Sequence, residues 1–277
     1  MTARLAWIDG VLFREAQATV SIFDHGLTVG DGVFETLKAV AGEPFALTRH
    51  LDRLTASARG LGLAEPDLER VRASVHETIA AQPDPTGDLR VRITYTGGVS
   101  PMGSDRGTAG PTLVIAVATL VEAARSAVIL TVPWPRNERG ALTGLKTTSY
   151  AENVVALAYA KSRGGTEAIC ADTTGRLCEG TGSNVILGIG GRLVTPSLAS
   201  GCLAGVTRGL AIEWCGIVEE DIPFEALHDA DEVALTSTTR NIQPVHAVDG
   251  RELPAPGPLT MAAMVLWLSS AARDVDP

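Results

Sequence analysis

Only three of the 23 Lys and Arg residues are lysines: Lys38, Lys146 and Lys161. Lys38 sits in an alternating strand segment and Lys161 late in a helical one, both at positions that read as solvated. Lys146 stands between the loop Thr143-Gly144-Leu145 and the helix-start signal Thr147-Thr148-Ser149, a rigid border from which an amine projects into a cleft. Three further segments follow in order. Leu177-Cys-Glu179-Gly-Thr-Gly-Ser-Asn184 ends a strand with an acid and runs into a Gly-rich turn. Ser200-Gly-Cys-Leu-Ala-Gly-Val206-Thr207-Arg208 delivers backbone N–H groups at a helix N-terminus, a ready anion site. Leu235-Thr-Ser-Thr238-Thr239-Arg240 is a hydroxyl-rich strand end. Taken singly these are an exposed lysine, a turn acid, a plain helix cap and a solvated turn; their order carries the information.

Other chemistries find no foothold. No lysine follows a glycine loop of P-loop type, and Gly188-Ile-Gly190-Gly191 reads as a hairpin turn. The five histidines form no HExxH, and neither Ser183 nor Ser200 lies in a GxSxG elbow. The 277 residues carry 32 acidic side chains against 23 basic ones, a formal charge of −9 that argues against nucleic acid and anionic membrane surfaces as partners. Cys170, Cys178, Cys202 and Cys215 show no CxxC or metal-like spacing and read as reduced thiols. Arg4 and Asp9 interrupt the N-terminal segment before a secretory core forms, and no apolar run approaches the ~20 residues of a membrane span. A cytoplasmic protein is expected.

The elements that must position these residues fall into two groups. In the first, strands at Leu5–Ile8, Val11–Phe13, Val33–Val40 and Phe45–Leu47 precede a helix from Thr48, the expected N-cap, with Leu51, Leu54, Ala58 and Leu61 on one face. A second helix runs from Pro66 or Asp67 to about Ala81, followed by strands Arg90–Thr96 and Pro111–Leu120. This is an α+β unit over residues 1–118. Residues 119–127 read as a linker. The rest, 128–277, contains a helix over Thr148–Arg163, short strands at Val128–Pro133, Glu167–Ala171, Arg176–Cys178, Asn184–Gly188, Arg192–Thr195, Glu232–Ser237 and Ile242–Val248, and helices at about Gly205–Cys215 and Gly257–Ala272.

Together the four segments resemble the class IV (fold-type IV) pyridoxal-phosphate enzymes: branched-chain and D-amino-acid aminotransferases and aminodeoxychorismate lyases. The first half agrees, because Phe23-Asp24-His25-Gly26 through Gly30-Asp31-Gly32-Val-Phe34-Glu35-Thr36 resembles the family's DxG…GDGxFE segment. Arg49-His50-Leu-Asp52-Arg53-Leu54 resembles its Arg-His-x-x-Arg-Leu helix start. The resemblance implies a small N-terminal α/β sandwich domain, a larger C-terminal pseudo-barrel domain and pyridoxal 5′-phosphate as cofactor. It implies that Lys146 forms a Schiff base with the cofactor and shuttles the proton, and that Glu179 faces the pyridine nitrogen. Arg49, Val206, Thr207 and Thr238 would hold the phosphate, and Tyr150 the phenolic oxygen. Branched-chain members carry one more residue between lysine and tyrosine.

Substrate recognition departs from the better-known patterns. Ser100-Pro101 is followed by Met102-Gly103-Ser104 rather than an Arg-x-His trap, and Arg90-Val91-Arg92 replaces the Tyr-x-Arg strand motif. Arg90 and Arg92 share a strand face and suit an anionic substrate. Arg240 beside Thr239, and Arg106 in a loop, are further carboxylate candidates. His25 lies in a loop that family members often lend to the neighbouring subunit of a homodimer. The leading expectation is an aminotransferase acting between an amino acid, D-amino acids included, and a 2-oxo acid. The alternatives are an aminodeoxychorismate lyase releasing pyruvate and 4-aminobenzoate, and an inactive carrier of the cofactor.

Overall fold

The structure is a computed structural model that describes residues 4–277. The first three residues of the expected 1–118 domain, which also open the segment read for a secretory signal, lie outside the described residues. The chain forms two compact units. The first comprises the chain as far as Val121 with Leu145–Tyr150 and Val275–Pro277; the second comprises Glu122–Gly144 and Ala151–Asp274. Two short segments that the sequence boundaries place in the 128–277 part therefore belong to the first unit.

In the first unit, β1 (Leu5–Ile8), β2 (Val11–Arg14), β3 (Gly32–Val40), β4 (Glu43–Pro44), β5 (Leu89–Thr96) and β6 (Thr112–Thr119) form one sheet in the order β2-β1-β6-β5-β3-β4. Every pairing is antiparallel. Three helices accompany it: α1 (His25–Thr28), α2 (Leu47–Leu61) and α3 (Leu68–Ala80). Side chains alternate across a strand, so Val33, Leu37 and Ala39 of β3 join Val91, Ile93 and Ile115 on one buried face. Leu51, Leu54 and Ala58 of α2 and Val71, Val75 and Ile79 of α3 complete that core. The start of α2 differs from expectation. Ala46, in the left-handed region, is its N-cap, and Asp276 takes both the Thr48 N–H (2.7 Å) and the Thr48 hydroxyl (2.6 Å). A carboxylate at a helix N-terminus is the stronger acceptor there, and no local pattern announces one 228 residues away.

In the second unit, nine strands form a mixed sheet that curls into a half-barrel. They are β7 (Ala127–Thr131), β8 (Glu167–Ala171), β9 (Leu177–Gly180), β10 (Asn184–Ile189), β11 (Arg192–Pro196), β12 (Val218–Glu220), β13 (Glu232–Ser237), β14 (Asn241–Val248) and β15 (Arg251–Glu252). The order is β12-β11-β10-β13-β14-β7-β8-β9, with β15 beside β14. The helices are α4 (Ala151–Lys161), α5 (Val206–Cys215), α6 (Ala226–Asp229) and α7 (Pro258–Ala271). Ile129, Ile169, Leu177, Val185, Leu187, Leu235 and Val245 form its core. The architecture is α+β in two parts, as the sequence implies. All four cysteines are free. Among the described residues no helix is long and apolar enough to cross a membrane, and no cluster of side chains could hold a metal.

Leu54 is fully buried where α2 meets the sheet. Leu54→Ala is expected to destabilise the first unit by about 2–5 kcal/mol, read as a lower urea midpoint at an unchanged slope.

Candidate active site

The segment Leu145–Tyr150 does not begin a helix, which corrects the expected Thr148 start; α4 begins at Ala151. It runs extended along β3 instead. The Phe34 N–H donates to the Lys146 carbonyl (2.9 Å), the Thr148 N–H donates to the Gly32 carbonyl (2.8 Å), and Val33 bridges Thr147. On its other side, the Lys146 N–H donates to Ser57 Oγ of α2 (3.2 Å). Leu145 packs against Gly60 so closely that a Cβ there would fall 2.5 Å from a Leu145 methyl. The Lys146 backbone is thus clamped by a strand and a helix, leaving the amine at the end of a fixed arm.

Lys146 Nζ lies 4.4 Å from the centroid of the Phe34 ring and 5.9 Å from that of Tyr150. Tyr150 meets Phe34 edge-on at 5.4 Å, and the Arg92 guanidinium stacks on Phe34 at 3.8 Å. Alternation explains the gathering. Phe34, Thr36 and Lys38 lie on the face of β3 away from the helices, and Arg92 and Arg90 stand opposite Thr36 and Lys38. Arg90 is exposed. Arg92 is half-buried, donates to Thr94 Oγ1 (3.2 Å) and pairs with no carboxylate among the described residues. Burial and the adjacent Arg90 charge push its guanidinium below the usual range. Lys38 is half-buried over the Phe45 ring (4.9 Å), with its ammonium pushed down by burial, which corrects its reading as solvated.

The other face of β3 carries Glu35, which is fully buried. His50 Nδ1 lies 2.7 Å from Oε2, and Arg53 contributes Nε (2.8 Å) and Nη2 (2.7 Å). Burial favours the neutral acid, but the Arg53 charge and the hydrogen bonds from Arg53 and His50 overcome it and hold Glu35 at about 2. This pairing ties β3 to the helix that carries Arg49, whose Nε donates to the Pro277 carbonyl (2.8 Å). His25 is buried, with Nδ1 3.1 Å from Asp31 and Nε2 2.8 Å from the Gly103 carbonyl. Arg106 grips the same carboxylate through Nε (2.8 Å) and Nη2 (2.6 Å). Both side chains fasten the 100–111 loop to Asp31.

In the second unit, Glu179 stands near the end of β9. Its Oε2 accepts from the Leu203 N–H (2.9 Å), and Arg136 Nη2 lies 3.5 Å from Oε1. Arg136 also donates to Asn153 Oδ1 (3.1 Å). Leu203 lies in the loop that leads into α5, so the segment holding Glu179 also delivers Val206 and Thr207. The N-cap of α5 is Gly205, which has no side chain to cap the first-turn N–H groups. Thr238 and Thr239 lie in the turn after β13, closed by the Arg240 N–H donating to the Ser237 carbonyl (3.1 Å). Arg240, the expected candidate for a substrate carboxylate, is engaged internally with Glu167 (2.7 Å) and Ser237 Oγ (3.1 Å).

A family profile described as "Amino-transferase class IV" matches residues 32–248. The chain belongs to the class IV aminotransferases. A relative from Methanocaldococcus jannaschii, provisionally named a branched-chain-amino-acid aminotransferase, is 34% identical over 88% of each chain. The bifunctional aminodeoxychorismate lyase / D-amino acid transaminase of Mycobacterium tuberculosis is 31% identical over 89% of this chain and 92% of its own. A crystal structure of the branched-chain aminotransferase of Thermoproteus uzoniensis with norvaline superposes with a TM-score of 0.89 at 29% identity, covering 95% and 93% of the two chains. Class IV aminotransferases use pyridoxal phosphate. The donor set of this chain fits that group. It offers an amine beside a phenol, a hydrogen-bonded carboxylate suited to a ring N–H, and uncapped helix amides with hydroxyls suited to a phosphate.

Sequence reasoning assigned no part to Phe34, Arg136 or Glu167. Phe34 carried a legible signal, since it shares a strand face with Thr36 and Lys38; Arg136, in the loop Pro135-Arg136-Asn137, carried none.

Because the folded pKa of Glu35 lies below its unfolded value near 4.5, its contribution to stability is complete above about pH 5 and is lost as pH falls toward 2. Glu35→Gln is expected to flatten the acid limb of the stability curve by roughly 3 kcal/mol at most, with little change in slope above pH 6. Denaturant melts of both chains from pH 2 to 7 check this.

Proposed function

We propose that the protein is a pyridoxal-phosphate-dependent aminotransferase that moves an amino group between an amino acid, D-amino acids included, and a 2-oxo acid. The observation that supports it best is the placement of the Lys146 amine and the Arg92 guanidinium on one aromatic ring. An amine for covalent chemistry stands beside a half-buried cation that pairs with no carboxylate among the described residues. The likeness to the bifunctional Mycobacterium tuberculosis enzyme supports the D-amino acid part of the reading.

Pyridoxal 5′-phosphate, when bound, supplies an electrophilic aldehyde and a ring that takes up the electron pair left when a substrate loses its α-proton. Lys146, Tyr150, Arg49 and Arg92 belong to the first unit, and Glu179, Val206, Thr207 and Thr238 to the second. Lys146 would hold the cofactor's aldehyde carbon through its amine and would take up and return the substrate α-proton at Nζ. Its clamped backbone keeps that nitrogen within reach through both tasks. Glu179, its Oε2 bonded to the Leu203 amide and Arg136 beside Oε1, holds a proton on the ring nitrogen. The Val206 and Thr207 amides, the Thr207 and Thr238 hydroxyls and Arg49 hold the phosphate. Arg92 accepts the substrate α-carboxylate, which replaces the water that a half-buried guanidinium has lost. Tyr150 holds the phenolic oxygen and, with Phe34, walls the amine from bulk water.

Arg92→Gln is expected to raise KM for the amino donor about 10–100-fold while kcat changes by a few-fold at most, since a charge-assisted contact made alike in ground and transition states is removed. Steady-state 2-oxo acid release across a panel of L- and D-amino acids measures this. Release of pyruvate from aminodeoxychorismate, with no amino transfer from any amino acid tested, would establish the lyase reading instead. An unchanged KM would remove Arg92 from the substrate site.

A further inference from the structure

A second buried carboxylate lies beneath the turns that follow Glu179 and carry Thr238. Glu167 opens β8 and is 2% exposed. Its Oε1 accepts from the N–H of Ala168 (3.1 Å), the N–H of Thr181 (3.1 Å) and the Thr181 hydroxyl. Its Oε2 accepts from the Ser183 hydroxyl (3.0 Å) and Arg240 Nη2 (2.7 Å). The Arg240 charge and these hydrogen bonds hold the acid below the usual carboxylate range against the opposing effect of burial.

The donors come from two separate turns. Thr181 and Ser183 belong to the turn that follows Glu179, where Gly180 approaches the Glu167 carboxyl so closely that a Cβ would stand 3.2 Å from Cδ. Arg240 closes the turn that carries Thr238, and its Nε reaches back to Ser237 Oγ. Arg240 also donates to the Gly182 carbonyl (3.3 Å), a direct stitch between the same two turns. β9, which carries Glu179, and β13, which leads to Thr238, are not neighbours in the sheet. The link between them runs through β10, whose first residue, Asn184, pairs with Thr236 of β13.

We propose that Glu167 is a positioning residue: its carboxylate joins the turn after Glu179 to the turn bearing Thr238, and so sets the spacing between the ring-nitrogen and phosphate ends of the cofactor site. The proposal rests on the assignment of Glu179 and Thr238 above. Packing alone needs no acid here, because a buried ion pair of this kind contributes little net stability against an apolar replacement. What it adds is geometry: five donors converge on one rigid group.

The test is the dissociation constant of pyridoxal 5′-phosphate from the full cofactor-stripped chain, read by absorbance titration. Glu167→Gln leaves Arg240 with an unpaired charge and one donor of the set without an acceptor, and is expected to weaken binding about 10–100-fold. In a Thr238→Ala background the same substitution is expected to cost at least threefold less, because Glu167 acts partly through Thr238. Should Glu167→Gln fail to fold, Arg240→Gln, at a partly exposed side chain, carries the same cycle. An unchanged dissociation constant in a folded variant overturns the proposal. So does an equal cost in both backgrounds with only a lowered melting temperature, since that is the signature of a purely structural acid. If the unmodified chain itself does not bind pyridoxal 5′-phosphate, the functional reading fails first and the proposal falls with it.

Discussion

The structure of the first unit depends on one backbone interaction, the antiparallel seating of residues 145–150 against β3. Its hydrogen bonds are ordinary, with N···O distances of 2.8 and 2.9 Å. Their consequence is large, because a lysine side chain has four rotatable bonds and loses its reach as a nucleophile unless its Cα is fixed. The Ser57 hydroxyl and the space left by Gly60 provide the second clamp. The same seating turns Tyr150 toward Phe34 and brings the amine to the face where Arg92 already lies. The elements around it, from the apolar core to the Glu35 pairing, hold β3 and α2 in place so that this segment has somewhere to lie.

Each unit also contains a buried, fully hydrogen-bonded carboxylate: Glu35 with His50 and Arg53, and Glu167 with Thr181, Ser183 and Arg240. Desolvating a carboxylate is costly, and the partners roughly offset that cost rather than exceed it. Such groups add position rather than stability. Glu35 ties a strand to α2, the helix that carries Arg49, and Glu167 ties the turn after β9 to the turn after β13. An apolar residue would fill either space but would fix neither direction nor distance.

Much of the fold was legible because its signals are local. Leu51, Leu54 and Ala58 recur at helical spacing and are buried in α2, while Asp67 precedes α3 and caps it. β3 and β5 alternate, and the placement of Arg92 on an open face follows from that period. The order of Lys146, Glu179, Val206-Thr207 and Thr238 pointed to the family, because spacing along the chain survives when overall identity falls to about a third. What was not legible is non-local. Thr148 carries an N-cap signal, yet its backbone is taken by Gly32, 116 residues earlier, and the helix waits until Ala151. Thr48 likewise looks like a cap and is itself held by Asp276. For Arg106, His25 and Arg240 a sequence shows a polar side chain without its partner; Asp31 and Glu167 are the partners in the structure.

The account stands on the identity of one amine, and the scarcity of lysine makes it decidable. Borohydride reduction of the protein with bound pyridoxal 5′-phosphate, followed by proteolysis and mass spectrometry, has three lysines to distinguish. The account predicts a phosphopyridoxyl adduct on Lys146, with Lys38 and Lys161 unmodified at stoichiometric labelling. An adduct on either of those two, or a chain that takes up no cofactor, would contradict it.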